Sequence, residues 1–322
     1  MNEIKQKTSA GDIIQKFGAL ITLVLLVIVL SIIDKDFRSV SNLMSLLRQA
    51  SVNGLIAFGM TCVILTGGID LSVGSTLALS SLVCALMVKA GVSPILAILA
   101  ALALGTLLGA TSGLLVTKGR LQPFIATLIT MTVYRGLTLI LSGGRPVSGL
   151  FAAGDTSVGS AILNGIGRGE PLGIPIPAII FFVVFAIFLF ILNKTVTGRR
   201  IYAVGSNEQA ARLAGVNNNR TKLLVYSISG FLAAFAGLII LSRLGSAQPT
   251  AGAGYELDAI AAVALGGTSM SGGRGKLYGT LIGVLIIAVL SNGLNILNVS
   301  SYYQDVVKGV VILLAVLSDR KR

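Results

Sequence analysis

Two glycine-rich stretches with hydroxyl side chains carry most of the chain's polar chemistry inside apolar surroundings. One is Thr66-Gly67-Gly68-Ile69-Asp70-Leu71-Ser72-Val73-Gly74, the other Gly266-Gly267-Thr268-Ser269-Met270-Ser271-Gly272-Gly273. Glycines allow positive φ and close backbone approach, so such turns present amides, carbonyls and the hydroxyls of Thr66, Ser72, Thr268, Ser269 and Ser271 together. That lining suits a neutral polyol, which needs many exchangeable hydrogen bonds and no fixed charge. Asn53, Asn292 and Asn295 can add amide donors and acceptors to it. Asp70 has two readings, a carboxylate lining a wet path or the N-cap of the following helix.

Catalytic chemistry is poorly supplied. There is no histidine, so imidazole catalysis and ordinary metal sites are excluded, and Cys62 and Cys84, each alone within an apolar run, read as small buried hydrophobes rather than a disulfide framework. Gly267 to Gly272 has phosphate-loop spacing, but Gly273 stands where lysine would be needed. The chain therefore cannot hydrolyse ATP unaided, is read as no enzyme and binds no cofactor itself. An embedded enzyme remains the weakest rival. An ion-coupled secondary transporter would need mid-membrane carboxylates, for which Asp70 is the candidate.

The elements that position these residues belong to a membrane. The 322 residues are 54% hydrophobic and 11% charged, with a mean hydropathy of +0.90. The formal charge of +13 falls mainly in connectors between apolar runs, so it reads as a topology signal and excludes a nucleic-acid partner. A hydrocarbon core of about 30 Å needs about 20 helical residues. On that basis ten spans are expected, near 17–33, 50–66, 72–90, 94–117, 123–141, 175–193, 222–242, 255–271, 277–297 and 302–318. The second and eighth are short or end at glycine pairs, so either can be re-entrant. The fold class is all-α and polytopic: a leader 1–16, one membrane domain 17–318 and a basic tail 319–322. The first span follows a modestly basic leader without a small-x-small cleavage site, which predicts an uncleaved helix.

Loop charge sets the orientation. Connector 194–222 holds Lys194, Arg199, Arg200, Arg212, Arg220 and Lys222 against Glu208 alone, whereas loop 142–173 balances Arg145 and Arg168 against Asp155 and Glu170. The connector is expected in the cytoplasm, with both termini on its side. Gly105, Gly109 and Gly113, like Gly279 and Gly283, recur at four-residue spacing and predict close helix contacts. Arg135 is a buried cation for which Asp70 is one available partner, and Glu256 and Asp258 are expected to cap the eighth helix. Aligned on their glycine pairs, the two stretches match Gly67 with Gly266, Gly68 with Gly267, Ser72 with Ser271 and Gly74 with Gly273. This suggests an internal repeat, parallel by span count, or inverted if one span is re-entrant. Within the connector, Ser206 as N-cap, Gln209 three residues on, a Glu208–Arg212 pair and Gly215 as stop predict a short helix. Its small face is Ala210, Ala211 and Ala214, suited to a groove on a partner, and its basic flanks could instead rest on anionic lipid.

These segments resemble one family, the sugar-importing permeases of bacterial ATP-binding-cassette systems. The likeness lies in Leu65 through Gly74, Pro123-Phe124-Ile125-Ala126-Thr127-Leu128, Ser246 through Gly273, Gly293-Leu294-Asn295 and Val299-Ser300-Ser301-Tyr302-Tyr303-Gln304, and runs from about residue 40 to the C-terminus. The resemblance implies two copies of the chain in the inner membrane, a cytoplasmic ATPase using ATP and magnesium, and a periplasmic or lipid-anchored sugar-binding protein. It implies D-ribose as cargo, with xylose, galactose or autoinducer-2 as alternatives. It also implies that Gly205, Asn207, Glu208, Ala210, Ala211, Arg212 and Gly215 form the helix that couples to the ATPase, although Glu208-Gln209-Ala210-Ala211 departs from the Glu-Ala-Ala of many importers.

Overall fold

A computed structural model describes residues 10–150 and 158–319. Leader residues 1–9, Asp155 and the basic residues Arg320-Lys321-Arg322 lie outside the described residues. The helices are α1 (Ala10–Ile33), α2 (Val40–Leu65), α3 (Val73–Lys89), α4 (Pro94–Thr117), α5 (Pro123–Ser142), α6 (Val158–Arg168), α7 (Ile176–Lys194), α8 (Val196–Ser206), α9 (Glu208–Leu213), α10 (Asn218–Leu244), α11 (Tyr255–Leu265), α12 (Leu277–Ile296) and α13 (Ser301–Asp319). Local chemistry sets many boundaries. Ser39 accepts from the Asn42 amide to start α2, proline opens α4 and α5, and left-handed glycines at 143 and 245 stop α5 and α10.

Six helices among the described residues are long and apolar enough to cross a membrane: α2, α4, α5, α7, α10 and α12. The second expected span is a full 26-residue helix, since it continues upstream to Val40. The eighth is not. Its helix α11 has 11 residues, about 16 Å, and is entered through the irregular segment 248–254. The balanced loop 142–173 is also more structured than its composition suggests. It contains α6 and the strand β1 (Val147–Ser148), which pairs antiparallel with β2 (Ser246–Ala247), Val147 opposite Ala247. Ser242 clamps α6 by accepting from the Gly167 amide at 2.8 Å and donating to the Asn164 carbonyl at 2.9 Å.

Burial sorts the helices into layers. In its most apolar window α2 is 78% buried, whereas α4, α5 and α7 are each 28% buried. The core therefore centres on α2, α12 and α10, the latter two 67% and 61% buried, and the less covered α4, α5 and α7 form its periphery. Lipid provides little hydrophobic drive between helices, so close backbone contact replaces it. The predicted glycine faces do this. On α4, Gly109 lies against the Tyr226 carbonyl and Gly230 backbone of α10, and on α12, Gly279 and Gly283 lie against the Gly266 and Ala262 carbonyls. Gly54 of α2 leaves room for the Phe181 ring of α7, which stacks on Phe58 with centroids 5.2 Å apart. Gly109→Leu is expected to separate α4 from α10 and destabilise the bundle by about 1–3 kcal/mol. A lower melting temperature in detergent, beside no loss for Gly165→Ala, where a Cβ meets nothing within 4 Å, is the check.

Candidate functional site

The two glycine words are helix stops of one kind. At the end of α2, Gly67 adopts φ +78°, its amide donates to Ile64 at 2.8 Å and the Gly68 amide donates to Val63 at 3.1 Å. At the end of α11, Gly267 adopts φ +77°, with amide bonds from Gly267 to Ala264 at 2.9 Å and from Thr268 to Val263 at 3.2 Å. Both are Schellman caps. The equivalent residues are therefore Gly67 with Gly267 and Gly68 with Thr268, one step from the alignment on glycine pairs. Gly266 is right-handed at φ −68° and is glycine because the Gly279 backbone crosses it. The shared word is a capping signal, and by itself it is no evidence of duplication.

The caps meet at one end of the bundle and the connector sits on them. The Gly273 amide donates to the Leu65 carbonyl at 3.0 Å, closing one stop with the loop after the other. Gly205, next to last in α8, lies over both groups, so a Cβ there would collide with the Leu65 carbonyl oxygen. Ser206 Oγ donates to the Gly273 carbonyl at 3.4 Å and the Tyr202 hydroxyl to that of Gly275 at 2.9 Å. Gly272 and Gly273 both hold positive φ under this contact. Ser269 Oγ accepts from the Ser271 amide at 3.3 Å, and Ser271, Gly67 and Gly267 are exposed. The buried Thr268 hydroxyl has no partner among the described residues.

Asp70 lies deeper. It is 1% exposed, accepts the Ser72 amide at 3.0 Å and Ser72 hydroxyl at 2.6 Å on one oxygen, and accepts the Ser229 hydroxyl of α10 at 2.8 Å on the other. Thr127 and Tyr226 donate to the Ile69 carbonyl at 3.2 and 3.4 Å, and Ser112 and Thr130 extend the hydroxyl cluster from Ser72. Asp70 thus fastens the α2–α3 turn to α10. Arg135 is not its partner: the guanidinium donates from Nη1 to the carbonyls of Pro249 at 2.6 Å and Ala251 at 3.0 Å. Gly74 lies against the backbone of Gly252 and beside Glu256. Asp258 does not cap α11, because its carboxylate pairs with Lys308 of α13 at 3.1 Å, while Glu256 accepts from the Gly254 amide at 3.3 Å.

The asparagines are dispersed. Asn292 exchanges both amide groups with Asn42, at 2.8 and 3.0 Å, and ties α12 to α2 at the end away from the caps. Asn295 accepts from Gln304 at 2.8 Å in the α12–α13 turn, and Asn53 is half-buried on α2. None of the three joins the caps. Both amides of the Asn42–Asn292 pair are occupied, which makes Asn292 a structural link.

The connector helix forms with its cap displaced by one residue. Ser206 ends α8, and Asn207 caps α9 by accepting from the Ala210 amide at 2.9 Å. Glu208 pairs with Lys222 at 2.8 Å and leaves Arg212 facing a cleft of about 550 Å³ beside Arg120. Ala211 is buried, Ala210 and Ala214 are exposed, and Gly215 stops the helix at φ +81°. Leu213 is 90% exposed at its tip. Sequence reasoning missed Tyr202, Ser229, Tyr226 and Leu213. Tyr226 and Ser229, polar within an apolar run, were the available signal for two of them.

Residues 42–316 match the family described as branched-chain amino acid transport system / permease component. The chain belongs to this permease family. As a permease it is a transport component of a membrane and not an enzyme. The ribose import permease protein RbsC of Bacillus subtilis is 57% identical over 310 residues, 96% of this chain and 94% of that one. The protein of that name from Haemophilus influenzae is 53% identical, covering 98% and 97%. The D-allose transport system permease protein AlsC of Escherichia coli is 40% identical, covering 95% and 91%. No solved structure matches the permease significantly. Asp70→Ala removes the acceptor of three buried donors and should cost the permease about 1–3 kcal/mol per orphaned group. Thermal unfolding in detergent tests this, with Ser229→Ala, which removes one donor, expected to lose less.

Proposed function

We propose that the chain is the membrane-spanning permease subunit of an ATP-driven importer of D-ribose. The observation that carries the cargo is identity: 57% and 53% to proteins named ribose import permeases over nearly their full lengths, against 40% to the D-allose protein. The partners in this reading are a second copy of the chain, a sugar-binding protein outside and a cytoplasmic ATPase that uses ATP and magnesium. The chain is a multi-pass protein of the bacterial inner membrane. The end bearing α8, α9 and both caps is cytoplasmic, as are both termini, consistent with the basic residues gathered there.

The chain crosses ten times, the eighth crossing being segment 248–254 followed by the half-length α11. Four of these crossings repeat in inverted orientation, α2 to α5 against α10 to α13. Supporting this is their packing: α3 and α4 lie on α10 as α11 and α12 lie on α2. In a chain that alternates through ten crossings the paired helices would then run in opposite directions. The turn after α2 and the turn before α11 then enter from opposite faces and touch at Gly74 and Gly252.

Coupling follows from the contacts of the connector. Leu213 and the α9 tip dock in the ATPase, and its closure on ATP displaces α8. Because Gly205, Ser206 and Tyr202 rest on Leu65, Gly273 and Gly275, that displacement reaches both helix stops without an intermediary. Thr66, Gly67, Gly68, Gly267, Thr268, Ser269 and Ser271 form the cytoplasmic mouth that this movement opens. Leu213→Glu should lower uptake at least tenfold and release the ATPase during purification, with permease abundance unchanged. The cargo is checked in a bacterium deleted for its own ribose permease and given this chain with its partners. Restored uptake of labelled D-ribose is expected, and uptake of D-allose but not D-ribose would refute the assignment.

A further inference from the structure

Away from the caps, at the height where α11 begins, α5 and α3 bound a cavity of about 430 Å³ whose wall is mainly apolar, from Met131, Leu139, Gly136 and Ala253, with Arg135 and Glu256 as its charged groups. That volume is in the range of small-ligand sites. A cation and a carboxylate line it together, and among the described residues they make no ion pair with each other or with anything else. Arg135 is held by two carbonyls through Nη1 alone, so its other N–H groups retain their donor capacity toward the cavity. Glu256 accepts from backbone amides only, its own and that of Gly254 at 3.3 Å, and so keeps acceptor capacity that no side chain among the described residues takes up.

A mainly apolar wall with one fixed donor and one fixed acceptor disfavours either net charge and suits a neutral molecule that offers both C–H faces and hydroxyls, the hydroxyls accepting from the guanidinium and donating to the carboxylate. Gly136 adds to this. It lies in the interior of α5, where glycine costs about 0.5–1 kcal/mol relative to alanine, yet a Cβ at this position would meet nothing within 4 Å. Its missing side chain therefore serves no helix contact among the described residues and leaves the cavity wide. The half-length helix α11 begins beside it, and an irregular entry at membrane depth is tolerated where it lines a wet space.

We propose that this cavity is the station at which the permease holds sugar in transit, with Arg135 donating to and Glu256 accepting from the hydroxyls of a neutral aldose, and Gly136 providing the room. The proposal rests on the sugar-transport reading above and names its binding site. It is tested in the complete importer reconstituted in proteoliposomes, with labelled D-ribose as probe. Gly136→Ala should keep uptake within about twofold, while Gly136→Leu and Glu256→Gln should each lower it at least tenfold, with the complex assembled and its basal ATP turnover unchanged. Ribose uptake by the unsubstituted system together with unimpaired uptake in Gly136→Leu or Glu256→Gln overturns the cavity assignment alone. Disassembly of the complex by Gly136→Leu also overturns it, since the position would then be a packing surface. Absence of ribose uptake by the unsubstituted system overturns the transport reading and this proposal with it.

Discussion

The hydrogen bond from the Gly273 amide to the Leu65 carbonyl is the contact around which the permease is organised. A helix that ends within a protein bundle frees carbonyls that must find partners, and hydrocarbon supplies none. Here each stop is closed internally by a left-handed glycine, and the remaining carbonyl of one is closed by the loop of the other. Two helices that share no covalent link nearby thus end in a single unit. The connector then seats on that unit through a glycine that tolerates no side chain.

The constraint accounts for the composition around it. Gly67, Gly267, Gly272 and Gly273 hold backbone angles that other residues adopt at a cost, while Gly205 and Gly266 are needed for close approach. The same economy of space recurs where α4 meets α10 and α11 meets α12. Polar side chains in the interior are largely spent on fastening. Asp70 fixes the α2–α3 turn to α10, Asn292 fixes α12 to α2, and Asp258 fixes α11 to α13. The result is a rigid frame with contiguous polar backbone at the connector end.

Much of this was legible in the sequence, and the failures are instructive. Long apolar runs gave most helices, and four-residue glycine spacing correctly marked two close packings, because both depend on local periodicity. The glycine words do mark helix stops, but the cap geometry pairs them one residue from the alignment on glycine pairs, since sequence identity cannot tell a glycine required by φ from one required by a neighbouring backbone. The N-cap shifted from Ser206 to Asn207 for a related reason. Both residues can cap, and α8, unforeseen as a separate helix, takes Ser206 as its last residue. Partners of buried charges were the least legible. Arg135 finds carbonyls of a loop more than a hundred residues away, and Asp70, besides the neighbouring Ser72, finds the Ser229 hydroxyl of α10, long-range pairings set by tertiary packing.

The central claim is that movement of the connector is felt directly at the paired helix stops. Ser271 is exposed beside them, and the native cysteines Cys62 and Cys84 are buried, so Ser271→Cys offers a selective reporter. The decisive measurement is its rate of maleimide labelling in the reconstituted importer, with the ATPase empty and then trapped closed on nucleotide. The account predicts a severalfold change in rate between the two states. Equal rates, with transport intact, would contradict it.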